Sequence, residues 1–489
     1  MNKQSIDLPD GFVVVCKEDC PTCEMIQPVL KRLSADITPL TVFTQDNPAF
    51  PPDVHQVIDD TTLEKSYRLD IEIVPTLLRI EDGVEVARIF GWSAFEWQAV
   101  TGIDGLGSDL PEMQPGCGSK SVEPGMAEEL AVRFGTSVGA AREIVLGPQE
   151  DEIEACFDRG WSDGLPVVPP TPERVLRMLG GTYRRADEIV GIIPPNQVEA
   201  TVEKVAINAV MAGCKPEYLP VVLAAVEAAC IDEFCMHGVA ATTYFSGPVV
   251  IVNGPIVEAI GMNSGINALG PGNRANATIG RALNLVIRNV GGSKPGGVDR
   301  AVMGNPGKFT FCFAENLENS AWEPLPAVVT TNSSKAFPPN ASTVTLFAGD
   351  GVQPIADQAS RSANSLARSF AASLRSVCHT KSAMGADALL LVSPEHSRTF
   401  EAEGWSKDRL IGELTAMLQI PTPDLVRGRD GIAEGVPSVR LHGFDVLPKF
   451  RPGGLLIARL GGTAGMFSAV VSGWAASGPR GSQAVSVEI

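Results

Sequence analysis

No apolar run in this sequence approaches the length of a membrane span, and the opening residues Met1-Asn2-Lys3-Gln4-Ser5-Ile6-Asp7 carry no apolar stretch behind a basic start. A cytoplasmic location with no membrane partner is the expectation. Basic residues are also short: 39 Lys and Arg face 57 Asp and Glu. The formal net charge of −18 repels phosphate backbones and anionic lipid surfaces, which removes nucleic acid from the expected partners. Histidine is rare at five residues, and no second Cys-x-x-Cys lies near the first, so the chain is poor in ligand sets for structural zinc. No cofactor is expected. Apolar residues at 44% and charged residues at 20% describe a folded globular chain rather than a disordered one. Its 489 residues exceed what one core organises, so at least two domains are expected, and a homo-oligomer is compatible with that size.

Half of the excess negative charge sits in the first fifth of the chain, where residues 1–101 hold 17 Asp and Glu against 8 Lys and Arg. That asymmetry marks a separate unit. Within it the strand-like run Phe12-Val13-Val14-Val15-Cys16 leads into Cys20-Pro21-Thr22-Cys23 at the start of a helix. A thiol at a helix N-terminus meets unpaired amides and the positive end of the dipole, which lower its pKa. The second sulfur, one turn on, can reach back and resolve a mixed disulfide formed by the first. Cys20 is thus the attacking thiol and Cys23 the resolving one. A zinc site and a pair of core cysteines are the alternatives; the first lacks its other ligands, and the second does not explain a proline suited to a first helical turn.

These residues resemble thioredoxin. Cys20-Pro21-Thr22-Cys23 is followed five residues later by Pro28, Ile73-Val74-Pro75-Thr76-Leu77 is similar to the family's cis-proline segment, and Glu81-Asp82-Gly83 and Arg88-Ile89-Phe90-Gly91-Trp92 match its hairpin turn and closing strand. The resemblance implies a thioredoxin fold over residues 1–101, a cis peptide at Pro75 beside the sulfurs, and a role for Pro75 in holding an extended substrate. Val14 stands where the family places a buried Asp, Asp19 replaces the usual Trp, and Cys16 replaces another aromatic. These departures put general disulfide reduction in doubt, and an acidic neighbour such as Asp19 is expected to oppose thiolate formation.

From residue 102 to 126 the composition turns to Gly, Pro, Ser and acidic residues, as in a linker. Pro115-Gly116-Cys117-Gly118-Ser119-Lys120 lies inside it. A Gly-flanked cysteine there is expected to be accessible, with Lys120 and neighbouring amides stabilising its thiolate, which suits a shuttle; an inert linker thiol is the alternative. The segment resembles the selenocysteine-Gly-Ser-Cys motif of a bacterial selenoprotein group, with Lys120 in place of the motif's Cys.

Residues 127–489 alternate strand-like runs (249–253, 309–313, 343–348, 388–393, 455–460) with helical stretches (198–212, 216–230, 274–290, 363–377, 397–418). The expected architecture is therefore α/β: an N-terminal thioredoxin fold and a larger α/β layered domain. In the latter, the Asn/Gly loop from Asn263 to Asn273 runs into a helix whose first turn holds Arg274 and Asn276. Amides, dipole and Arg274 could cradle an anion there, or Asn273 could simply cap the helix. Gly461 and Gly462, with Ser468, form a second Gly-rich elbow after a strand, and His396 follows another strand within reach of proton transfer, if it is not a satisfied structural histidine. Cys214 lies at a helix-to-helix corner where Lys215 could depress its pKa. Cys235-Met236-His237 and Cys378-His379 match no standard zinc spacing. Gly160–Pro166, Ala212–Tyr218 and Asn273–Thr278 resemble the large domain of thioredoxin-fused bacterial proteins, which implies organisation but no substrate. The expected function is thiol-disulfide exchange: the dithiol, recharged by an external thiol reductant, supplies reducing equivalents to a domain acting on a small anionic substrate. The alternatives are a lyase or hydrolase of carbon-heteroatom bonds with the first domain as sensor or scaffold, and a partner-binding module.

Overall fold

A computed structural model describes residues 8–135, 139, 141–325, 337, 338 and 340–489. The chain is α/β throughout and divides into two units, Met1–Ala140 with Pro172–Leu176, and Ala141–Thr171 with Arg177–Ile489.

Unit 1 is built on a five-stranded sheet of order β3-β2-β1-β5-β6, from β1 (Gly11–Cys16), β2 (Leu40–Thr44), β3 (Val57–Asp59), β5 (Thr76–Glu81) and β6 (Val84–Phe90). β1, β2 and β3 run parallel, whereas β5 and β6 are antiparallel additions. β1 is buried along its whole length, which is why it reads as an unbroken apolar run rather than an alternating one. After it, α1 (Pro21–Met25) and α2 (Gln27–Ser34) are separated at Ile26, two residues before Pro28, which has no amide to continue the first helix. The short β4 (Ile73–Val74) precedes β5, β7 (Trp92–Ser93) follows β6, and α4 (Ala94–Thr101) ends at Gly102.

The presumed linker is structured. Residues 103–118 return across the unit, where β8 (Met113–Gln114) pairs with β7 and β9 (Cys117–Gly118) pairs antiparallel with β4. Leu106 is fully buried in the same core as β1, and α5 (Met126–Phe134) packs Leu130 and Ala131 against Leu63 and Tyr67.

Unit 2 centres on a mixed sheet of seven strands among the described residues, in which β12 (Gly247–Asn253), β13 (Cys312–Ala314), β14 (Thr343–Ala356), β15 (Ala388–Val392), β18 (Leu455–Arg459) and β19 (Phe467–Gly473) follow the order β13-β12-β14-β19-β15-β18, with β20 (Val485–Glu488) paired to β14. Two small hairpin-like pairs lie outside it: β10 (Ile189–Ile193) with β11 (Val198–Thr201), and β16 (Gln419–Pro421) with β17 (Val446–Pro448). Strand periodicity sets the two sides of the large sheet. Leu390, Val392 and Ile457 join helices 363–374, 394–402 and 407–417 on one face, while Leu389, Leu391, Leu456 and Ala458 join Val249 and Phe313 on the other. The stretch expected as one helix over 397–418 is two, because Gly404 at φ +70° stops the first and Ser406 caps the second. No helix among the described residues is long and apolar enough to cross a membrane.

Candidate active site

The three thiols that sequence singled out in unit 1 meet. Cys20 is the N-cap of α1, with Pro21 as first helical residue, so the amides of the first turn face its sulfur. Hydrogen bonding from Cys23 draws the Cys20 thiol down to about 5; burial works against this, and hydrogen bonds from Cys117 and from the Cys23 and Thr22 amides reinforce it. Cys20 Sγ also lies 3.6 Å from the carbonyl of Val74, and the Val74–Pro75 peptide is cis. Cys23 is fully buried and its thiol is pushed far up, by burial first and by Cys20 second. Asp19 is exposed, and its amide, like that of Glu18, donates to Asp46. Its carboxylate is not among the largest influences on Cys20, so the expected opposition from this neighbour gives way to the hydrogen bonds at the helix start.

Cys117 reaches Cys20 because the segment around it is clamped. Thr22 Oγ1 donates to Pro115 O at 2.6 Å, β9 lies against β4 with Cys117 opposite Val74, and the Ser119 amide donates to Glu72 O. The buried side-chain amide of Gln45 holds the next turn from both ends, its Nε2 donating to Ser119 Oγ at 2.6 Å and its Oε1 accepting from the Lys120 amide at 3.0 Å. Gly116 is required here, since a Cβ would collide with Ile73 Cγ2 and the Val74 carbonyl. Cys117 is consequently half-buried rather than free. Its thiol is raised, by burial first and by the Cys20 sulfur next, and the cation that offsets this is Lys17, not Lys120. The expectation of a stabilised Cys117 thiolate is corrected accordingly: Cys20 carries the charge and Cys117 the proton.

In unit 2 the two loops singled out from sequence come together, but their polar groups are spent on one another. Gly461 donates its amide to Ser264 O, and a Cβ on Gly462 would press on Ile266. Asn276 is buried; its Oδ1 accepts from the Asn263 amide, and its Nδ2 donates to the carbonyls of Asn263 and Ala268. Asn273 caps the helix through Asn276 N and donates to Gly261 O, while Asn263 closes on Gly265 and Ile266. Arg274 is exposed and donates to Gly213 O at 2.9 Å. His396 is fully buried, with Nε2 donating to Asp357 O at 2.9 Å, which makes Nδ1 the acceptor from Ser468 Oγ at 2.7 Å; Phe370 meets the ring edge-on. That is the satisfied structural histidine, and Ser468 is its partner. Cys214 is buried and pushed up to about 12: burial outweighs a hydrogen bond from Thr278 and the charges of Arg274 and Arg281, and Lys215 plays no part.

Two features escaped the sequence reading. One is Gln45, whose role depends on a partner 74 residues away. The other is a cavity of about 610 Å³ in unit 2, whose wall includes Ser293, Gly296, Asp299, Gly304, Asn305 and Lys308. The Gly/Pro-rich stretch 291–308 was the signal that could have found it. Among the described residues no three His, Cys, Asp or Glu side chains are grouped to hold a metal ion, and all ten cysteines are free thiols. Comparison of the chain with protein-family models, with curated proteins and with solved structures found no match.

Proposed function

We propose that this chain is a thiol-disulfide redox protein whose thioredoxin-like unit 1 passes reducing equivalents through Cys117 to the fused α/β unit, which acts on a small anionic substrate. The observation that carries this reading is the contact of a low-pKa Cys20 with both Cys23 and Cys117. Thiols attack disulfides as thiolates, and Cys20 is the one of the three whose sulfur is held charged, while burial keeps Cys23 and Cys117 protonated. When an oxidised thiol is joined to Cys117 as a disulfide, the Cys20 thiolate attacks Cys117 Sγ, forms the Cys20–Cys117 bond and expels the other sulfur as its thiolate. Cys23 then attacks Cys20 Sγ, its proton passes to the departing Cys117 sulfur, and the Cys20–Cys23 disulfide closes. An external dithiol reductant supplies the two electrons that reopen it.

Trapping tests this in the intact chain. In Cys23→Ser, mild oxidation followed by peptide mass spectrometry should find Cys20 linked to Cys117; adducts of Cys20 with small molecules alone remove the relay. A second reading keeps unit 2 as a lyase or hydrolase with unit 1 as its redox sensor, and one observation favours it: Cys214, the unit 2 thiol whose pKa was expected to be depressed, is buried and held protonated. Turnover that survives Cys20→Ser and ignores reductant would select that reading.

A further inference from the structure

The unit 2 cavity lies among Ser246, just before β12, Arg288, in the last turn of helix 274–289, and the 291–308 stretch. Three of the four charged side chains that line it are already paired. Asp163 makes a bidentate contact with Arg281 at 2.8 Å, and burial, which disfavours its charge, is outweighed by that guanidinium, so it stays below the usual carboxylate range. Asp299 and Lys308 pair at 2.7 Å. Arg288 is the fourth, and among the described residues it has no carboxylate partner. Its Nε is buried without a hydrogen-bond partner, and so is Oγ of Ser246, a residue 1% exposed. Buried donors left unmatched in a folded interior are rare, and two of them on residues that line one cavity favour an acceptor bound there. Apolar side chains also line the cavity, among them Met236, Val239, Ala240, Pro248, Ile287 and Phe309. Its size falls in the range of small-molecule pockets.

We propose that this cavity is a binding site for a carboxylate with a compact apolar body, the carboxylate facing Arg288 and Ser246 and the body resting on the wall from Met236 to Phe309. One unpaired guanidinium balances one negative charge, which favours a monoanionic carboxylate over a phosphate dianion, and the planar fork of arginine matches two carboxylate oxygens. A serine hydroxyl can add a third hydrogen bond. The site is distinct from the Asn263–Arg274 loop, whose donors are committed to its own backbone. It supplies the substrate class that the proposed function leaves open, and it uses no thiol.

The intact reduced chain is titrated calorimetrically with straight-chain carboxylates from acetate to octanoate, and with hexanamide as the neutral counterpart of hexanoate. Binding should be saturable and tighten with chain length as apolar wall is covered. Hexanamide and the Arg288→Ala variant should each lose about tenfold or more, as for a charge-assisted hydrogen bond, with Arg288→Lys recovering part and Ser246→Ala losing less. Melting curves of each variant separate lost binding from lost fold, and Ser246→Ala keeps the test open if Arg288→Ala does not fold. Equal binding of hexanamide, equal binding by folded Arg288→Ala, or no binding of any member at millimolar concentration overturns the proposal. Cys20→Ser should bind hexanoate unchanged, so a failed relay and an absent carboxylate site are read separately.

Discussion

The two Gly-rich segments at 115–120 and 263–276 use similar residues for opposite ends. In unit 1, Gly116 and Gln45 spend their geometry on bringing a sulfur to a sulfur, and the Cys20 sulfur is left charged between two thiols. In unit 2, Asn263, Asn273 and Asn276 spend their donors and acceptors on holding two loops and a helix start together, and little is left for a ligand. The difference teaches that polar richness marks a site only when some of the polar capacity stays unspent. By that standard the reactive places are the Cys20 cluster and the cavity with Ser246 and Arg288.

The sharpest way to break the comparison is to cut a spent network. Glu315 is buried with Lys407, 2.5 Å from its Nζ, and it also accepts from Asn253 and from the Leu325 and Arg459 amides. Glu315→Ala leaves the ammonium of Lys407 without a counter-charge and should cost about 3–5 kcal/mol in denaturant unfolding; adding Lys407→Met should recover much of it. A loss under about 1 kcal/mol would mean that water reaches Lys407, and that unit 2's polar interior is less committed than argued.

Unit 1 should respond in charge rather than in stability. Because the Cys23 hydrogen bond is the largest influence on Cys20, Cys23→Ala should move the thiolate absorbance midpoint upward from about 5 by roughly one unit or more. The sign for stability follows: a depressed thiol pKa stabilises the reduced fold above the ordinary thiol pKa of 9.0, and the contribution is lost as pH falls through about 5. Reduced wild type should therefore lose more stability than reduced Cys20→Ser between neutral pH and that midpoint. An unchanged midpoint in Cys23→Ala would leave Cys117 and the helix amides as the cause.

Gln45→Ala should act through access. It removes the clamp on Ser119 and Lys120, costs about 1–2 kcal/mol for buried hydrogen bonds, and lets the Cys117 segment lift from β4. Alkylation of Cys117 should accelerate while the Cys20–Cys117 crosslink yield falls. Faster alkylation with an unchanged crosslink would place the hold on Gly116 and Thr22 instead.

The dithiol, its helix start, the proline at position 28 and the strand within 388–393 were legible because each is a local pattern: a spacing, a proline, a short apolar run. The path of residues 103–118 was not, since β7, β8, β4 and β9 span two residues each and their pairing carries no periodic signal. Composition also misled at 263–276, because a sequence shows how many amides a loop has but not where they point. The proton on Cys117 and the high pKa of Cys214 were hidden for a related reason: desolvation depends on packing partners that sequence neighbours do not reveal.

Arg274→Ala is expected to do the least, and its smallness discriminates. If the Asn/Gly loop held an anion, removing this side chain would cost binding roughly 1.5–3 kcal/mol, the range for a hydrogen bond to a charged group. The side chain is instead exposed and donates to the Gly213 carbonyl at the end of helix 202–212, where Gly213 already takes the left-handed conformation at φ +88° that closes the helix. Losing one solvent-exposed donor from an already closed helix end should shift unit 2 stability within about 0.5 kcal/mol. Hexanoate binding should be unaltered, because Arg288 and Ser246 stand in a separate cavity. A loss of hexanoate affinity in folded Arg274→Ala comparable to that in Arg288→Ala would move the anion site back to the loop and reverse the assignment of spent and unspent groups in unit 2.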